Sequence, residues 1–169
     1  MPSPPLRPCV FLDRDGVINE APPAGQYILR WEEFRWIDTI TDWIRLFRVL
    51  GYLVIVVTNQ RCVAKGLLSL AELNALHERM QQELARRGAP LDAVYACPDE
   101  DSPCRKPRPG MVEQAVRDFG IDLSRSLLIG DTDNDRQLAA TCGLPFICVD
   151  QGRIVEIVPR PAEPDALGG

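Results

Sequence analysis

Two spacings of apolar residues alternate along this chain. Cys9-Val10-Phe11-Leu12 is apolar at every position, as a strand buried on both faces of a parallel sheet is. The β-branched run inside Tyr52–Gln60, then Ala93–Cys97, Ser126–Gly130 and Phe146–Val149, read the same way. Between these runs the period changes. Ile40, Trp43, Ile44, Phe47 and Leu50 lie at helical spacing from Thr39 and stop at Gly51. Ser69-Leu70-Ala71-Glu72 has the form of a capping box, opening a helix with Leu73, His77, Met80 and Leu84 on one side and Gly88 at its end. Met111, Ala115 and Phe119 mark a third helix ending at Gly120, and a short fourth runs through Leu138 to Cys142 before Gly143. Strands alternating with helices predict an α/β protein, a three-layer Rossmann-like fold around a central, mainly parallel sheet. A single domain is expected over 1–169, with its core over about 8–158 and loose tails at 1–7 and 159–169.

Ligands of such folds sit beyond the carboxyl ends of the strands, and polar clusters follow each strand here. Asp13 and Asp15 stand one residue apart before Gly16, so in an extended segment both carboxylates point one way. That is a turn composition, but two converging like charges also call for a hard divalent cation such as Mg2+. Thr58-Asn59-Gln60 ends the second strand, with Arg61, Lys65 and Gly66 after it. The third leads to Asp99, Glu100, Asp101, Cys104, Arg105 and Lys106, and the fourth to Asp131-Thr132-Asp133-Asn134-Asp135. A nucleophilic carboxylate, a second carboxylate, a hydroxyl, an ammonium and acids for a cation are the parts that phosphoryl transfer uses. A G-x-x-x-x-G-K loop is absent, so a P-loop kinase is not indicated.

Composition narrows the partners. Lys plus Arg is 19 against 24 Asp plus Glu, a net charge of −5, which argues against a general nucleic-acid binder. The apolar runs are too short to span a membrane, and Met1-Pro2-Ser3-Pro4-Pro5 lacks the parts of a signal peptide, so a cytoplasmic monomer is expected. The six cysteines then suggest no disulfide framework, and Cys9, Cys62, Cys142 and Cys148 read as small apolar fillers. The connection from Asn19 to Trp36 is long enough for a lid, with Tyr27, Trp31, Phe34 and Trp36 to fold over the site or anchor the loop, anchoring being favoured for Trp36. His77, the sole histidine, lies on an amphipathic helix away from the strand ends and reads as structural, which argues against Ser-His-Asp or phosphohistidine chemistry.

In their order, Asp13-Arg14-Asp15-Gly16-Val17, Thr58-Asn59-Gln60, Cys104-Arg105-Lys106-Pro107 and Gly130-Asp131 resemble the four motifs of the haloacid dehalogenase (HAD) superfamily. The narrower pattern is similar to its branch without a large cap domain, which holds D-glycero-D-manno-heptose 1,7-bisphosphate and histidinol-phosphate phosphatases. The resemblance implies a phosphatase of carbohydrate metabolism. It makes Asp13 the nucleophile, Asp15 the acid and base, Thr58 and Lys106 the phosphoryl holders, and Asn59, Arg61 and Arg105 the substrate contacts. Mg2+ is implied on Asp13, the carbonyl of Asp15, and Asp131, while Asp135 is left between orienting Lys106 and supporting the metal. The branch's zinc loop is altered, with Asp99 and Ser102 where it has His and Cys beside Cys97 and Cys104, so structural zinc is not expected. Arg61-Cys62 replaces the branch's Ser-Gly, and Ile37-Asp38-Thr39 lacks its usual glycine. The expected substrate is a sugar bisphosphate such as D-glycero-D-manno-heptose 1,7-bisphosphate, then histidinol phosphate, then a nucleic-acid 3′-phosphate. A phospho-acceptor signalling module without turnover is the rival from another class.

Overall fold

The computed structural model describes residues 5–162. Its strands are β1 (Cys9–Leu12), β2 (Leu53–Asn59), β3 (Ala93–Cys97), β4 (Leu127–Gly130), β5 (Phe146–Asp150) and β6 (Arg153–Val158). They form one sheet in the order β3-β2-β1-β4-β5-β6. The first five are parallel and β6 returns antiparallel to β5. Phe11 stands opposite Ile55 on one side and Leu128 on the other, which places β1, and the carboxylates that follow it, at the middle of the sheet.

Four helices cover the two faces: α1 (Thr39–Val49), α2 (Leu70–Arg86), α3 (Gly110–Phe119) and α4 (Asp133–Thr141). The alternation of side chains along β1 and β2 divides the core accordingly. Val10, Leu12, Val54 and Val56 share one cluster with Ile40 and Ile44 of α1 and Met80 and Leu84 of α2. Cys9, Phe11, Ile55 and Val57 share the other with Met111, Val112 and Ala115 of α3 and Leu138 and Ala139 of α4. Burial on both faces is why these strands are apolar throughout, and it fixes the level at which their ends emerge. Truncating Phe11 to alanine is expected to cost about 3–5 kcal/mol.

The sequence reading omits β6. Ile154, Val155 and Ile157 of this edge strand are at least half exposed, and a tight turn at Gln151 (φ 46°) and Gly152 (φ 77°) leads into it. The backbone of Arg7 bonds to Gly120 and Asp122, pinning the chain just ahead of β1. The looseness expected of residues 1–4 and 163–169 lies outside the described residues. No helix among the described residues is long and apolar enough to cross a membrane.

The long connection after Asn19 divides its aromatics. Trp31, Phe34 and Trp36 form a mutual cluster against the core, with ring centroids 4.9–6.0 Å apart. Arg79 of α2 and Arg87 just beyond it cover Trp31 and Trp36 respectively. Tyr27 alone of the four faces the cleft beyond the strand ends. A second departure concerns sulfur: Cys97 and Cys104 are joined in a disulfide, against the expectation of none. They stand only seven positions apart, and the loop after β3 turns back on itself to bring them together.

Candidate active site

A cavity of about 280 Å³ opens beyond the carboxyl ends of β1, β2 and β4, and all eight residues singled out from the sequence line it. The close approach of its parts depends on two glycines. A Cβ on Gly16 (φ +83°) would stand 1.9 Å from Asp131 Oδ2, and one on Gly130 would stand 2.4 Å from the Asp135 Cβ. A side chain at either position would have to displace Asp131 or Asp135.

Lys106 is the hub. It is buried, and its Nζ donates to Asp13 Oδ1 at 2.9 Å, Asp135 Oδ1 at 2.7 Å and the Val57 carbonyl at 2.9 Å. Burial opposes its charge, but Asp13 and Asp135 outweigh that and raise its pKa above the usual lysine range. Asp13 also takes the Arg14 N–H on Oδ1 at 2.7 Å, while no hydrogen bond reaches its Oδ2 among the described residues. Burial, then the negative charge of Asp135, push the Asp13 carboxyl up against the pull of Lys106.

Both oxygens of Asp135 are engaged. Its Oδ1 serves Lys106, and its Oδ2 takes the Thr132 hydroxyl at 2.6 Å and the Thr132 N–H at 3.2 Å, in the capping box that opens α4. It orients Lys106. Asp131 is the opposite case: its Oδ1 is buried with no hydrogen-bond partner. Burial and then Asp135 raise its pKa to about 6. Oxygens of Asp13, Asp131 and Asp135 lie within 4.8 Å of one another. With Asp135 committed, Asp13 and Asp131 are the carboxylates that offer oxygen to a hard cation, and an unpartnered buried oxygen suits one.

Asp15 lines the cavity and is gripped from behind by several donors. Arg14 forks onto it through Nε to Oδ1 (3.0 Å) and Nη2 to Oδ1 and Oδ2 (2.8 and 3.0 Å). Asn19 Nδ2 adds a bond to Oδ1 at 2.9 Å and Gln60 Nε2 one to Oδ2 at 3.2 Å. The same Gln60 amide reaches the Thr58 hydroxyl at 2.9 Å, tying the acid to the end of β2. Arg14, Asn19 and Gln60 are buried and were not singled out from the sequence as site residues. His77 is buried, consistent with a structural residue, but it is not remote from the site: its Nε2 lies 3.0 Å from Arg14 Nη1, so it joins the site's framework. Burial, then the Arg14 charge, lower its pKa to about 3, which keeps the ring neutral.

The three residues expected to contact substrate separate. Asn59 accepts the Lys106 N–H at 2.9 Å and donates to the Lys106 carbonyl at 3.1 Å, so its amide clamps the backbone of the hub. Arg61 lines the cavity, is half-buried and is paired with Glu100. Arg105 lines the cavity with its buried Nη1 unpartnered, which leaves a donor for an anion.

A family model described as HAD-hydrolase-like matches residues 103–165. D-glycero-alpha-D-manno-heptose-1,7-bisphosphate 7-phosphatase of Burkholderia mallei is 40% identical over 145 residues, covering 80% of this chain and 75% of that protein. The corresponding beta-anomer phosphatase of Rhodopseudomonas palustris is 39% identical over 153 residues, covering 85% and 83%. Among solved structures, the D,D-heptose 1,7-bisphosphate phosphatase of B. bronchiseptica, complexed with magnesium and phosphate, superposes with a TM-score of 0.76 at 33% identity, covering 83% of this chain and 79% of that one.

Proposed function

This chain belongs to the HAD-like hydrolases and is a phosphoric monoester hydrolase, and from that premise we propose that it removes the 7-phosphate of a D-glycero-D-manno-heptose 1,7-bisphosphate through a phosphorylated Asp13. The observation that carries the mechanism is the Asp13–Lys106–Asp135 chain, which fixes one oxygen of Asp13 and leaves the other without a hydrogen bond.

Asp13 Oδ2 attacks phosphorus in line with the ester oxygen, and the P–O bond to the sugar breaks. Asp15 gives its proton to the departing alkoxide, then takes one from the water that attacks the aspartyl-phosphate, releasing phosphate and restoring both carboxyls. The Thr58 hydroxyl donates to an equatorial phosphoryl oxygen, and the Lys106 ammonium, its three protons taken by Asp13, Asp135 and the Val57 carbonyl, offsets the developing charge from beside Asp13. Asp13, Asp131 and the carbonyl of Asp15 are the groups that would hold Mg2+, which when bound neutralises the carboxylates and the phosphoryl charge. Asn59 keeps Lys106 in place through its backbone.

Arg105 and Arg61 are the cations for the second phosphate. Guanidinium groups suit a phosphate because their donors form a fork. Histidinol phosphate would bring an amine to the acids of the loop after β3. There Glu100 is paired with Arg61 and Asp101 with Arg108, which weakens that alternative. The test is phosphate release from both anomers of the heptose bisphosphate, histidinol phosphate and a 3′-phosphorylated oligonucleotide. A higher kcat/KM on histidinol phosphate or the oligonucleotide than on either anomer would refute the assignment.

A further inference from the structure

We propose that His77 is a positioning residue for the acid step, holding Asp15 in place through Arg14. This rests on the reading of Asp15 as general acid. Arg14 stands between Asp13 and Asp15 in sequence and is wholly buried, its guanidinium included. Nε and Nη2 go to Asp15, and Nη1 goes to His77 Nε2 at 3.0 Å. A guanidinium has only donors, so Nε2 must be the accepting nitrogen and the ring proton sits on Nδ1.

The arrangement fixes a plane. Arg14 lies in the tight turn between β1 and Gly16, where its own backbone carbonyl accepts from Val17, Ile18 and Asn19. Its side chain is then held at the far end by α2, through His77, which stands 63 positions away in sequence. A planar fork fixed at both ends orients the carboxyl it grips. Three donors (Arg14 Nε, Arg14 Nη2 and Asn19 Nδ2) converge on Oδ1 of Asp15, whereas Oδ2 takes one bond from Arg14 and the longest of the set, 3.2 Å, from Gln60. Oδ2, with two donors against three, is the less engaged oxygen and the one assigned to proton exchange, and it lies on the Gln60–Thr58 side, where the phosphoryl group is expected. With His77 gone, Nη1 loses its partner, the fork rotates to find another, and the Asp15 carboxyl turns with it.

The experiment compares kcat/KM on a sugar phosphate and on p-nitrophenyl phosphate for wild type, His77→Leu, His77→Gln and Asp15→Asn. The aryl leaving group departs without a proton, so only the sugar phosphate needs the acid. Because kcat/KM ends with loss of the leaving group, Asp15's later work on water does not enter. The sugar-to-aryl ratio should fall on the order of 10²-fold or more in Asp15→Asn. It should fall roughly fivefold to tenfold in His77→Leu, the size of one misplaced hydrogen bond. His77→Gln, whose amide oxygen accepts from Nη1, should bring the ratio back toward wild type. A merely structural histidine lowers both substrates in proportion, since a smaller active fraction leaves the ratio unchanged. An unchanged ratio in His77→Leu beside a lowered one in Asp15→Asn overturns the role of His77 alone. An unchanged ratio in Asp15→Asn overturns the acid reading and this inference with it. A raised ratio in His77→Leu, as release of a restrained carboxyl gives, also overturns it. Should His77→Leu not fold, His77→Asn, whose amide is too short to reach Arg14, is read in the same way.

Discussion

Asp131→Asn isolates the electrostatic cost of the cation site. The Asp131 carboxyl is raised from 3.8 to about 6 by burial and then by Asp135. A carboxyl raised on folding contributes stability that is complete below its unfolded value and is lost as pH rises through its folded value. Metal-free protein should therefore weaken between about pH 4 and pH 7. The full difference corresponds to at most about 3 kcal/mol, and partial exposure reduces it to on the order of 1–2 kcal/mol. For a chain of this size that is a fall of about 3–6 °C in Tm. Asparagine has no charge to be buried or to repel Asp135, so the fall should be smaller in Asp131→Asn by that amount. The assay is thermal unfolding in EDTA at half-unit steps from pH 4.5 to 8, repeated with Mg2+. Mg2+ at about 100 times its Kd should restore about 2.7 kcal/mol to the wild type above pH 7, little below pH 5, and much less in the variant at any pH. Parallel Tm–pH curves for the two proteins in EDTA, or an equal Mg2+ response, would refute the reasoning.

Lys106→Met leaves two buried carboxylates without their shared cation, and it should cost about 3–5 kcal/mol in urea unfolding as well as phosphatase activity. Gly16→Ala drives a methyl group against Asp131 at a left-handed backbone position, and it should weaken the Mg2+ response of Tm without altering the circular dichroism of the sheet. Arg105→Ala should reduce the preference for a bisphosphate over its monophosphate analogue more than Arg61→Ala does, because Arg61 already has Glu100 as partner. Equal effects on kcat/KM from the two substitutions would contradict this.

The strands were legible because burial on both faces leaves no polar position in β1 and nearly none in β2, and the polar residues that end them mark the cleft. β6 escaped because an exposed edge strand needs neither a continuous apolar run nor strict alternation. Its signal was the Gln151-Gly152 turn ahead of Arg-Ile-Val-Glu-Ile-Val. Asn59 was visible as part of a motif, but its partners are backbone atoms of Lys106, which no side-chain pattern reveals. The link of His77 to the site was missed for a related reason. Helical spacing shows which face it occupies but not that Arg14 arrives beneath that face from the turn after β1. The Cys97–Cys104 disulfide depends on the path of the loop, and spacing alone does not give it.

The central claim is that Asp13 carries the phosphoryl group between its two transfers. Asp15→Asn incubated with p-nitrophenyl phosphate can still lose the aryl group, yet it lacks the base that activates water, so the covalent species should accumulate. Acid quenching followed by mass spectrometry of proteolytic fragments measures it directly. The account predicts one added phosphoryl group on the peptide containing Asp13, absent from Asp13→Asn. A phosphoryl group on another residue, or normal turnover by Asp13→Asn, would contradict it.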